Sequence, residues 1–328
     1  MKAILCKAYG PPETLVVEDV PSPTPGEGQV RIDVRACGVN FPDLLIIQNL
    51  YQFKPPLPFS PGGEVSGVVS AVGAGVESVR VGDRVLASPG FGGFAEEVVC
   101  AAASTIPVPE AMDFDTASAL LMTYGTSHYA LKDRADLRPG ETLLVLGAAG
   151  GVGLAAVELG KQMGARVIAA ASSDEKLAVC REHGADETIQ YEREDLKARA
   201  KELTGGQGVD VVYDPVGGAY SEAALRAIGW EGRFLVIGFA AGDIPKIPLN
   251  LTLLKSCDVR GVFWGAFVMR NPQRHAEHVA ELMDWFHAGK IKPRICARYP
   301  FADVARALRD IAERKATGKV VLVPPSAA

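Results

Sequence analysis

Ala148, Gly150 and Gly153 stand at the three positions of a G-x-G-x-x-G spacing, with alanine at the first. In such a turn the middle glycine leaves room for a pyrophosphate, and the third lets the following helix pack closely on its strand. The free N–H groups at the helix N-terminus then face the anion. The pattern carries weight only in a strand–turn–helix context. Here the apolar run Leu143 to Leu146 precedes it, a helical pattern follows it, and a second apolar run spans Val167 to Ala171. The chemistry indicated is dinucleotide binding, with Ala148, Gly150, Gly151, Val152 and Gly153 forming the phosphate turn.

The tip of the second strand separates the two nicotinamide cofactors. NAD enzymes place a carboxylate there for the ribose hydroxyls, whereas NADP enzymes omit it and bring in cations. Counting from the glycines, the tip is Ala171, followed by Ser172 and Ser173; Asp174 and Glu175 fall where the next helix starts. Ala171 removes repulsion against a 2′-phosphate, the serines donate to it, and Lys176 lies one helical turn on. This predicts NADPH. The competing reading of Lys176 is a solvated surface lysine.

Other chemistries lack their residues. There is no G-x-x-x-x-G-K-S/T phosphate loop and no G-x-S-x-G elbow. Six scattered cysteines form no C-x-x-C and have no histidine at metal-site spacing, so they read as small buried hydrophobes, and no metal is expected. The five histidines, His128, His183, His275, His278 and His287, read as surface residues. A net charge of −5 offers no basic face to nucleic acid or membrane. No apolar run reaches membrane-spanning length and no signal pattern opens the chain, which predicts a cytoplasmic protein.

The elements that must position these groups divide the 328 residues in two. Up to about residue 100, short β segments broken by Gly and Pro turns suggest a small β-barrel domain. The Pro-rich stretch Cys37 to Val69 is loop-rich and a candidate site wall. A helix over Tyr124 to Ala135 leads into strands alternating with helices as far as Val259 to Phe263, the pattern of a doubly wound parallel sheet. A helix over His275 to His287 and a short β/α tail follow. The expected domains are residues 1–122, 123–264 and 265–328, the last returning to the first. The cofactor is expected in the cleft between domains.

The chain resembles the medium-chain dehydrogenase/reductases and, within them, the zinc-independent quinone oxidoreductase family. The resemblance rests on Gly38-Val39-Asn40 with Asp43, Pro56-Leu57-Pro58 with Gly62 and Glu64, and Gly67-Val68-Val69. It continues through Val81 to Val85, Ala148 to Gly153, Tyr213 to Gly218 and Gly318-Lys319-Val320. It implies an α/β fold: an N-terminal GroES-like β-barrel domain with a Rossmann domain. The zinc-dependent branch has Cys where this chain has Asn40, His where it has Gly63, and a four-cysteine lobe absent between Ala87 and Val98. Glu64 is therefore left to structural hydrogen bonds.

The resemblance also implies roles. Asn40, Asp43 and Tyr51 line the acceptor pocket; Lys176, Tyr191 and Arg314 hold the 2′-phosphate, assisted by Ser172 or Ser173. Thr126, Gly238, Phe239, Phe263, Trp264 and Gly265 border the nicotinamide. Bland alternatives stand beside these: Asn40 and Asp43 bracing a turn, Tyr51 packing its loop, Tyr191 ending a strand, Arg314 as a charge at a helix C-terminus. The expected activity is NADPH-dependent hydride transfer to a quinone. The alternatives are an enone, alkenal or acryloyl-type double-bond reductase, and a non-catalytic NADPH-binding structural or regulatory protein. A homodimer is expected through the sheet edge near Val259 to Phe263, since an uncovered apolar edge strand is a liability that pairing removes.

Overall fold

The structure, a computed structural model, describes residues 1–327. The chain forms two compact units, Met1–Met122 with the segment from Pro293 onward, and Thr123–Lys292. Strands β1 (Lys2–Leu5), β2 (Val16–Asp19), β3 (Gln29–Val39), β4 (Val65–Val72), β5 (Arg84–Ala87), β6 (Glu97–Ala101) and β7 (Thr105–Pro107) open the first unit. The second contains β8 (Thr142–Leu146), β9 (Arg166–Ala171), β10 (Glu187–Gln190), β11 (Val209–Asp214), β12 (Ile228–Val236) and β13 (Asp258–Gly261). The first unit is completed by β14 (Ile295–Pro300) and β15 (Lys319–Val323).

In the first unit the main sheet runs β14-β15-β3-β4-β5-β7, with β6 also paired to β3. Only β14–β15 is parallel. The long β3 is its hub. Val30, Ile32 and Val34 alternate inward, as a one-sided antiparallel strand requires, and from Ala36 to Val39 every residue is buried where β15 joins. The end of β3 thus places Asn40, itself buried, at a fixed position. A short helix, Phe41–Ile46, follows.

In the second unit all pairings are parallel, in the order β10-β9-β8-β11-β12-β13. Leu143 to Leu146 and Val167 to Ala171 are buried throughout, as strands covered on both faces must be. Strand order reverses between β8 and β11, the switch point whose carboxyl-end crevice is the ligand site of such sheets.

Three expectations are corrected. The second unit extends to Lys292 rather than 264, because helices Trp264–Arg270 and Pro272–His287 pack with helical residues 126–134 through Tyr129, Phe267, His128 and His278. The helix expected over 124–135 is a helical run from Leu121 to Arg134, largely of π type. The histidines are mostly not surface residues: His128 and His278 are fully buried in that packing, His183 and His275 half-buried, and only His287 is exposed.

Candidate active site

The phosphate turn follows from local sterics. Gly150 is the N-cap of helix Gly151–Gln162. A Cβ on Gly153 would lie 2.3 Å from the Gly147 carbonyl oxygen, whereas one on Gly150 would meet nothing closer than 3.4 Å. The third position therefore packs helix on strand, and the middle one leaves an open approach for an anion. Ser127 Oγ donates to Val152 O at 2.9 Å and pairs with Tyr213 Oη at 2.7 Å, tying the turn to β11. Ala148 is buried beneath the turn.

At the end of β9 the structure brings the predicted polar groups together. Lys176 Nζ donates to Ser172 Oγ at 2.9 Å, and Ser173 caps helix Asp174–Glu182 by accepting from Lys176 N. Tyr191 N–H donates to Ala171 O, and the Tyr191 ring lies 4.3 Å from that of Tyr220. Asp174 is turned to an ion pair with Arg193. Glu175 stays close, its carboxylate hydrogen-bonded to Ser173, but Ala171 at the strand tip carries none, and the serine–lysine–tyrosine cluster beside it fits a phosphomonoester on the adenosine ribose.

On the β11 and β12 side, Asp214 fixes the next loop by accepting from Val216 N, Gly217 N and Ser221 Oγ. Gly238 N–H donates to Asp214 O, and half-buried Phe239 lies against Gly217. Thr126 is half-buried next to Gly125, onto which the Trp264 indole is packed. Phe263 and Gly265 are exposed at the start of helix Trp264–Arg270. Arg314 lies in the first unit, exposed just after helix Val304–Ala312.

The first unit holds a buried polar cluster. Asn40 Nδ2 donates to Gly38 O and Glu64 Oε2, both at 3.1 Å, while its Oδ1 accepts from Lys319 Nζ at 2.6 Å. Lys319 Nζ also reaches Glu64 Oε2 at 3.1 Å, and Glu64 Oε1 accepts from Met122 N. Gly38 is obligatory here: a Cβ would lie 2.1 Å from Ser118 O and crowd Glu64 and Lys319. Asp43 accepts from Asn40 N and Gly62 N, the reciprocal half of a capping box. Desolvation pushes its carboxyl up to about 6 against those two N–H groups and Lys319; nearby Glu64 adds to the rise. Half-buried Tyr51 packs on the same core, and burial with the Asp43 charge raises its phenol.

Asn40, Asp43 and Tyr51 are thus brought together, but both Asn40 N–H bonds are already used within the protein. The Tyr51 hydroxyl has no hydrogen-bond partner among the described residues. Lys319, which the sequence placed in a motif without a role, is the buried cation of this cluster. Its signal was a lysine opening the apolar strand Lys319–Val323.

The same cluster bears on zinc. An ammonium already bonded to Glu64 and Asn40 occupies the donors a cation would need, so these residues do not fit a metal. Among the described residues no group of three His, Cys, Asp or Glu could hold one. No helix among them is long and apolar enough to cross a membrane.

Comparison with known proteins agrees with this architecture. Residues 26–110 match the alcohol dehydrogenase GroES-like domain and residues 151–286 the zinc-binding dehydrogenase domain. The quinone oxidoreductase-like protein 2 homolog of Nematostella vectensis is 44% identical, covering 98% of this chain and 88% of that protein. The quinone oxidoreductase of Escherichia coli, solved in complex with NADPH, superposes with a TM-score of 0.93 at 31% identity, over 99% of this chain and 100% of that one. CurK enoyl reductase gives a TM-score of 0.90 at 27% identity, over 99% of each chain. With the GroES-like and Rossmann units, the phosphate turn and these relatives in agreement, the chain belongs to the quinone oxidoreductase family of the medium-chain dehydrogenase/reductase superfamily.

Proposed function

We propose that this protein is an NADPH-dependent, zinc-free reductase that passes hydride to a quinone. The observation that carries the cofactor is the Ser172–Lys176 pair next to Ala171 at the tip of β9, beside the open phosphate turn. Gly150 to Gly153 bind the pyrophosphate; Lys176, Ser172, Ser173, Tyr191 and Arg314 meet the 2′-phosphate. Thr126, Gly238, Phe239 and Phe263 to Gly265 border the nicotinamide. When bound, NADPH supplies a hydride, which with one proton converts the quinone to its hydroquinone.

With no metal to polarise a carbonyl, the acceptor must itself be electron-poor, and the protein contributes proximity and a hydrogen bond to the developing oxyanion. The Tyr51 hydroxyl makes that bond. Asn40 and Asp43 position it by holding the turn at the end of β3, because their own polar atoms are engaged internally. Water protonates the product oxygen.

A second reading, reduction of an enone or enoyl double bond by the same hydride, draws support from the likeness to CurK enoyl reductase. NADPH and NADH oxidation should be followed with 1,4-benzoquinone, a naphthoquinone, an enone and an aliphatic aldehyde. Quinone turnover with NADPH preferred is expected. Turnover of the enone alone would move the function to alkene reduction, and NADPH binding without turnover would favour a non-catalytic role.

The assembly is a homodimer through the free edge of β13. That strand ends the sheet, and on it or just after it Val259 (48% exposed) and Phe263 (55%) leave apolar surface. A monomer in sedimentation at micromolar concentration would oppose this.

A further inference from the structure

We propose that Phe53 and Phe91 form an acceptor-selecting wall that favours a fused-ring quinone over a single-ring one. The proposal rests on the quinone reductase reading and names the subclass of acceptor.

The loop after helix Phe41–Ile46 exposes large apolar side chains in close succession. Leu50 is 65% exposed, Phe53 49% and Leu57 39%, with Tyr51 half-buried between them. Lys54 is the one charged residue from Leu50 to Leu57. Clustered apolar exposure of this kind marks a place where something apolar binds. Its chemistry is set by the Phe53 ring, which lies 5.7 Å from that of Phe91 with the planes inclined at 45°. A tilted pair leaves ring faces unstacked, so a flat ligand can lie offset on one ring and meet the edge of the other.

Phe91 is held rigidly with respect to the candidate site. It sits in the tight turn Gly90 to Gly93, in a stretch from Ala87 to Val98 that holds no cysteine. Gly92 N donates to Ser60 O at 2.8 Å, Gly93 N to Gly62 O at 2.9 Å and Phe94 N to Pro61 O at 2.9 Å. Gly62 N in turn donates to Asp43 Oδ1 at 3.1 Å, and Asp43 Oδ2 accepts from Asn40 N at 2.8 Å. These five hydrogen bonds fix the Phe91 turn relative to the Asn40–Asp43 turn. The Tyr51 loop carries Phe53 against it. An acceptor with its oxygen at Tyr51 extends its remaining ring toward this pair. A one-ring quinone has no second ring to place there; a naphthoquinone has.

The test is the ratio of kcat/KM for 1,4-naphthoquinone to that for 1,4-benzoquinone in the wild type, Phe53→Ala, Phe91→Ala and Phe91→Tyr. Dissociation constants for 1,4-naphthoquinone on the NADP⁺-saturated protein are measured beside it. The wild type should favour the fused ring; the ratio should fall about fivefold to tenfold in each alanine variant and be retained in Phe91→Tyr. Naphthoquinone affinity should weaken in parallel, while NADPH affinity is kept. A ratio and affinity within twofold of wild type in both alanine variants would overturn the wall. If the wild type reduces neither quinone, the quinone reductase reading fails; the binding series then still decides whether the wall recognises a fused ring.

Discussion

Lys319 and Glu64 face each other at 3.1 Å with only 4% and 1% of their side chains exposed, and Asn40 bonds to both. The pair lies at the junction of β3 and β15, where the register sets Val320 opposite Val39. Removing one partner leaves a buried charge without compensation, which costs far more than the pair itself contributes. Lys319→Met should destabilise the first unit by roughly 3–5 kcal/mol, and Glu64→Gln combined with Lys319→Met should recover part of the loss. Urea unfolding of the three proteins checks this. A Lys319→Met midpoint equal to wild type would mean that water already solvates the pair.

Coenzyme choice should follow Lys176. Its ammonium donates to Ser172 Oγ, and a 2′-phosphate would give it a doubly charged ion-pair partner in place of that neutral hydroxyl. Lys176→Ala should raise the KM for NADPH about tenfold or more, and leave the KM for NADH nearly unchanged. Equal losses with both cofactors would assign Lys176 to folding of helix Asp174–Glu182 instead of to phosphate recognition.

The parts of the molecule that were legible in the sequence are those governed by short-range periodicity. The buried runs of β8 and β9, the glycine turn and the Ser173 cap all follow from neighbours within a few residues. Lys319 was not legible as a site residue, because its partners Asn40 and Glu64 lie more than 250 positions away and only β15 joining β3 brings them together. His128 and His278 were misjudged for a related reason. An imidazole on a helix is polar by type, and only the crossing of helical residues 126–134 with Pro272–His287 hides both rings. The reach of the α/β unit to Lys292 has the same origin: the helix pattern was visible, but not which unit it would pack on.

Asp43 gives the first unit an unusual pH dependence. Its carboxyl titrates near 6 instead of 3.8, so the folded state holds the proton more tightly than the unfolded chain. The associated stabilisation is fully present below pH 3.8 and is lost as pH rises through 6; by linkage it amounts to roughly 3 kcal/mol. The carbon resonance of the Asp43 carboxyl should show a midpoint near pH 6, and Asp43→Asn should remove this contribution. A midpoint at or below 4 would show that the N–H groups of Asn40 and Gly62, with Lys319, outweigh desolvation.

The second unit should respond to acid in the opposite sense. His128 is fully buried, its ring 4.4 Å from that of His278 and 5.6 Å from that of Trp285. Desolvation and the His278 charge push its pKa down to about 4; Glu281 opposes them and Lys132 adds to the fall. Here the unfolded chain binds the proton first. Stability is therefore present above pH 6.5 and is lost as pH falls toward 4, by roughly 3 kcal/mol if His128 acts alone. All three tryptophans, Trp230, Trp264 and Trp285, lie in this unit, so their emission reports on it without interference from the first. Urea midpoints read by tryptophan fluorescence should drop steeply between pH 6.5 and 4.5, and His128→Gln should flatten that slope. An unchanged slope in the variant would place the acid sensitivity elsewhere, on His278 or His275, whose pKa values burial also depresses.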